Sequence, residues 1–103
     1  VLCLRDNKKQ RFSKNAVGIY VHWNGGEESV EGFLKSTREI MGERLGDVSY
    51  SKARLIQYIG NFFGGNLSTG VGLCGELDCD NWDNGVYIID CSTLTVTGRK
   101  YNE

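Results

Sequence analysis

The chain reads as a single α+β domain over residues 1–103: a mainly antiparallel sheet of about five strands with an αα-hairpin packed on one face, in the order ββααβββ. Three observations predict it. Two stretches in the middle of the chain repeat apolar residues at helical spacing, and only a few residues separate them. Short β-type runs flank that pair on both sides. Proline is absent, so the fourteen glycines must supply most of the turns.

Taken in order, Val1–Leu4 is a short strand leading into the polar turn Asp6-Asn7-Lys8-Lys9-Gln10. Val17–Trp23 alternates, with Ile19, Val21 and Trp23 on one face and Tyr20 and His22 on the other. The two runs predict an N-terminal hairpin with a basic tip. From Glu27 the period changes: Val30, Phe33, Leu34, Thr37, Ile40, Met41 and Leu45 make one apolar stripe. Glu27, Glu28 and Glu31 complement the positive end of this helix, and Gly46 is the expected left-handed stop.

A second helix is predicted at about Tyr50–Phe63, capped by Ser49 or Asp47 and striped by Leu55, Ile56, Ile59, Phe62 and Phe63. Gly64-Gly65 end it, and the short link between the helices favours antiparallel neighbours. Three further strands follow. Thr69–Cys74 is interrupted by glycine, Val86–Asp90 starts from the Asp83-Asn84-Gly85 turn signal, and Leu94 and Val96 alternate with Thr93, Thr95 and Thr97.

Composition narrows the function classes. Twelve basic against thirteen acidic residues give a net charge of −1, which argues against a general nucleic-acid binder dependent on counterion release. No run approaches a membrane span, and the first residues carry no apolar core of an export signal. The chain starts at Val1 rather than Met, so a short N-terminal piece is expected to be missing. The four cysteines, Cys3, Cys74, Cys79 and Cys91, permit disulfides. Without an export signal, reduced buried thiols and a cytoplasmic location are the expectation.

Two patches are candidate binding sites. The first is His22-Trp23-Asn24-Gly25-Gly26, where a strand turns into a helix. It holds the only histidine, an aromatic anchor and a helix N-terminus able to receive a carboxylate or phosphate. The second is the loop Glu76–Asn84, in which Asp78, Asp80 and Asp83 surround Trp82. Acidic groups steer a partner with a basic surface, and a buried tryptophan holds it.

Other patterns carry less. The loop fails the calcium-loop template because Asp83 stands where glycine is required and no glutamate closes it. Gly64–Gly72 lacks the lysine ending of a phosphate loop and follows a helix instead of opening one. Cys74, Cys79, Cys91 and His22 contain only one pair at zinc-like spacing, and nothing in the sequence sets a cysteine beside His22 as a nucleophile pair. The basic group Arg5, Lys8, Lys9, Arg11 and Lys14 reads as a solvated turn. No catalytic residue, metal ligand set or cofactor is assigned.

Ile19-Tyr20-Val21-His22-Trp23-Asn24-Gly25-Gly26, the two-helix middle, Thr69-Gly70-Val71-Gly72-Leu73 and the closing Val86-Tyr87-Ile88-Ile89-Asp90 resemble a group of small proteins from phages, prophages and other mobile elements. That group carries a strand ending in a His-Trp-Gly-Gly-like motif and a hydrophobic strand ending in Asp. The present chain differs in having Asn24 in place of a glycine and in its Cys74–Cys79 loop. The resemblance implies a genomic setting in which small accessory proteins work by binding, many of them against host defences. It implies no activity.

The sequence therefore leads to a non-enzymatic protein-binding domain, with a small-anion binder at Asn24-Gly25-Gly26 as the alternative and a Cys/His enzyme behind both. A homodimer is compatible with each.

Overall fold

The computed structural model describes residues 1–7, 15–21, 26–64, 69–75 and 85–100, the side chain of Lys100 excepted. The elements follow the expected order: β1 Leu2–Arg5, β2 Val17–Val21, α1 Glu27–Met41, a 3-10 turn Gly42–Arg44, α2 Val48–Phe62, β3 Thr69–Leu73, β4 Val86–Asp90 and β5 Thr95–Lys100. The strands form one sheet in the order β3-β2-β1-β4-β5. β1 pairs antiparallel with β2, as do β2 with β3 and β4 with β5; the central β1–β4 pair is parallel. The first strand of the chain therefore occupies the middle of the sheet.

Alternation along the strands decides what each face carries. Leu2 and Leu4, Ile19 and Val21, and Tyr87 and Ile89 join Val30, Phe33, Leu34, Leu55 and Ile59 from the helices in the main core. A smaller cluster of Val1, Cys3, Cys74 and Val86, flanked by Ala16 and Tyr20, contains no helix residue. Both helices thus cover one face of the sheet. At the open end of the helix pair Phe33 meets Tyr58, Phe62 and Phe63 edge-on, with ring centroids 6.2, 5.1 and 6.3 Å apart. A shallow groove of about 250 Å³ runs beside these rings, bordered on α1 by Ser29, Gly32 and Ser36.

The helix boundaries correct the sequence reading in one place. α1 stops at Met41, because Gly42 takes the left-handed φ of 54° and its N–H closes on the Arg38 carbonyl. Gly46, the expected stop, has a positive φ as well (111°) but lies beyond the 3-10 turn, just before α2. Leu45 consequently lies outside the helix and is exposed; Ile40, still within α1, also points away from the core, whereas Val30, Phe33, Leu34, Thr37 and Met41 are buried. α2 starts at Val48, a little before the expected Tyr50, and of the two expected caps it uses Asp47: the Asp47 carboxylate accepts the Tyr50 N–H, and Asp47 O accepts the Ser51 N–H.

A second correction concerns Leu94. It belongs to the β4–β5 turn rather than to the strand, at a φ of 53° that a branched side chain seldom adopts, and its side chain is fully buried. Arg38 of α1 donates to the Leu94 carbonyl at 2.7 Å, tying the turn to the helix layer.

Candidate functional site

The segment between β3 and β4, which holds the acidic tryptophan patch, is fixed at both ends to the central strand. At its start, Cys74 donates its N–H to the Ala16 carbonyl at 2.8 Å and is disulfide-bonded to Cys3 of β1. At its end, Gly85 turns with a φ of 57° and its carbonyl accepts the Val1 backbone nitrogen at 3.0 Å. The Tyr87 N–H then donates to Val1 O, which continues the ladder into β4. Val1, Cys3, Cys74 and Val86 are the buried cluster of the helix-free face, so both anchors rest on one small core. Asp78, Asp80, Trp82 and Asp83 themselves lie outside the described residues.

The Cys3–Cys74 bond replaces the expectation of reduced thiols for these two residues. Their Cα atoms are 5.8 Å apart, within the normal span of a disulfide, and the link joins positions 71 residues apart. It also separates the cysteines chemically. Cys74 belongs to the helix-free face, while Cys91 is buried in the main core on the other side. Cys74 and Cys91 therefore do not converge on one zinc site. Cys79 lies outside the described residues.

Of the first patch, His22, Trp23, Asn24 and Gly25 lie outside the described residues, and Gly26 is the N-cap of α1. Its φ of −70° is ordinary, and a Cβ there would touch nothing within 4 Å. Glycine is thus required at 26 neither by backbone conformation nor by crowding. Glu27 and Glu28 occupy the first turn, where their carboxylates already complement the helix dipole. An anionic ligand at this end would meet two negative charges, which weakens the anion-binding alternative.

One cluster escaped the sequence reading. Where the parallel strands β1 and β4 end, Arg5 stands in register with the buried Asp90. One Asp90 oxygen accepts both the Ser92 N–H at 2.9 Å and the Ser92 hydroxyl at 2.6 Å. Arg5 donates to Thr97 Oγ1 at 2.7 Å, and Lys52 of α2 reaches Asp6 at 2.5 Å. The free thiol of Cys91 lies next to this network, fully buried.

Burial pushes that thiol from its ordinary 9.0 up to about 12; Asp90 and Asp6 add to the rise and Lys52 opposes it. A thiol held protonated in a core is inert as a nucleophile at neutral pH. The network serves the fold: Asp90 and Ser92 shape the turn that carries Leu94, and Lys52–Asp6 pins α2 to the end of β1. The only prior signal was Asp90 at the end of an apolar strand, since spacing alone does not reveal that β1 and β4 run side by side.

No described helix is long and apolar enough to cross a membrane. Comparisons with protein families, curated proteins and solved structures found no match to this chain.

Proposed function

We propose that this chain is a small non-enzymatic binding protein that acts by protein–protein contact, presenting the acidic segment around Trp82 to a partner with a basic surface. The supporting observation is the double anchorage of that segment on β1, through Cys3–Cys74 at one end and Val1–Gly85 at the other. Fixing the ends of a loop removes part of the entropy that ordering it on a partner would otherwise cost. Asp78, Asp80 and Asp83 supply steering charge, and Trp82 supplies apolar area suited to a contact centre. The inert Cys91 thiol takes one candidate nucleophile away from the enzyme alternative.

The mobile-element setting and a role as an inhibitor of host defence belong to this proposal through the resemblance of the strand and turn motifs. So does a cytoplasmic location. Counting free thiols by mass spectrometry, after alkylation inside intact cells, tests the location. A closed Cys3–Cys74 bond at the time of alkylation is the signature of an oxidising compartment and opposes it.

The binding reading is tested by comparing the wild type with the double variant Trp82→Ala/Asp80→Lys. Both are immobilised and challenged with host lysate, and retained proteins are identified at fixed stoichiometry. A protein held by the wild type and lost by the double variant, with unchanged circular dichroism, supports the reading. Equal retention by both removes this surface from consideration.

A further inference from the structure

β3 forms one edge of the sheet, with β2 as its neighbour. The Cys74 N–H points at Ala16 of the β2 side, and an antiparallel ladder alternates residue by residue. Gly72 and Gly70, with the parity of Cys74, therefore turn their backbone groups toward β2. Thr69, Val71 and Leu73 turn theirs outward. Val71 stands across from Ile19 and Leu73 across from Val17, which puts these side chains on the helix-bearing face. The helices leave this corner open: Val71 is 56% exposed, Leu73 38% and Val17 37%.

The opposite edge is built differently. β5 carries Arg99 and Lys100, and its pairing with β4 is broken by a register shift at Ile88/Ile89. Charges and bulges are the usual protection of a sheet edge against further pairing. β3, Thr-Gly-Val-Gly-Leu, has no charge and no proline, and its pairing with β2 runs without a register shift.

We infer that the β3 edge is a self-association surface, and that two copies of this chain join through it into one continuous sheet. A two-fold axis through Val71 sets Val71 against Val71 and Thr69 against Leu73. All the outward N–H and C=O groups of both strands are then used, in about six hydrogen bonds. The same axis keeps the helices of both copies on one side, so on that face Val71 packs against its own copy and each Leu73 against the other copy's Thr69 and Val71. No charged side chain lies on β2 or β3, so like meets like without repulsion. A standard interface takes roughly 800 Å² from each partner, and five strand residues with one corner patch fall below that. The dimer accordingly belongs to the weak class, with dissociation in the micromolar range.

Sedimentation equilibrium from about 1 to 200 µM, under non-reducing conditions, tests the inference. The wild type should approach twice the 11.5 kDa chain mass at the upper end and dissociate on dilution. Val71→Pro removes only an outward N–H, leaving the β2–β3 ladder intact, and should remain monomeric throughout with an unchanged circular dichroism spectrum. Should that variant fail to fold, Val71→Lys decides. It keeps every backbone group, sets like charges opposite each other across the axis, and should weaken association at least tenfold. A wild type that stays monomeric at 200 µM overturns the inference. So does a dimer that tolerates both substitutions, or one that survives Val71→Pro but dissolves on reduction, the mark of a cross-link through Cys79.

Discussion

On its helix-bearing face the sheet buries Leu2, Leu4, Ile19, Val21, Tyr87 and Ile89 beneath two amphipathic helices; on the other, Val1 and Cys3 meet Cys74 and Val86 with no described helix above them. The first face is stabilised by apolar area, spread over many side chains, each replaceable by another of similar volume. Among the described residues the second buries only a small apolar cluster, and a covalent bond between β1 and the residue that follows β3 runs through it. The difference teaches that one small sheet can be secured by two kinds of interaction that respond to different conditions. Temperature and denaturant act on the first, whereas reductant acts selectively on the second.

The comparison can be broken at either face. Leu34→Ala, in a fully buried helix position, is expected to lower stability by about 4 kcal/mol, shifting the thermal midpoint by well over 10 °C. A shift of a few degrees would mean that the helix layer is not the dominant support. Reduction of the wild type, or the pair Cys3→Ser/Cys74→Ser, should cost about 4 kcal/mol, since the bond closes a 71-residue separation in the unfolded chain. Equal urea midpoints with and without reductant would show that the second face needs no covalent link.

Two smaller effects sharpen the picture on the helix side. The Cys91 thiol ionises near 9.0 in the unfolded chain but only at about 12 in the fold. Between these values the unfolded chain has lost a proton that the folded chain retains, so rising pH favours unfolding. Stability that is complete below pH 9 should fall toward pH 12 by up to about 1.4 kcal/mol per pH unit. Cys91→Ala should flatten that slope relative to the wild type in melts at pH 8, 9.5 and 11; parallel slopes would place the thiol in contact with water. Asp47→Ala removes the acceptor of the Tyr50 N–H, a long contact at 3.4 Å, and should cost about 0.5 kcal/mol in urea titration. A loss above about 2 kcal/mol would mean that the helix start does more than end a ladder.

The helix-bearing face was also the legible one. Periodicity alone marks Val30, Phe33, Leu34, Leu55 and Ile59, because burial against a layer imposes a period on the sequence. Where the reading slipped, two local solutions competed: Gly42 and Gly46 both adopt positive φ, and helical spacing alone did not show which would act first. Leu94 was assigned to a strand by alternation, yet its apolar side chain is buried from a turn. The helix-free face was not legible. Four cysteines allow several pairings, and the choice of Cys3 with Cys74 depends on β1 lying in the middle of the sheet, which no spacing records. Among the candidate site residues the sequence also identified only residue types. What tethers the Asp78–Asp83 segment became visible only once Val1 and Cys3 were seen at its two ends.

The parallel contact between β1 and β4 carries a consequence in time. Val1 meets Gly85 across 84 residues, and every other strand joins the sheet directly or indirectly around that seam. A chain emerging from the ribosome can form α1 and α2 as a hairpin and can pair β1 with β2, but the middle of the sheet stays open until residues near 90 have been made. Long-range pairing of this kind slows the search for the native state and leaves the unpaired side of β1 exposed meanwhile. Synthesis of this protein therefore includes a late closure, in which β1, made before every other strand of the sheet, is among the last to be enclosed.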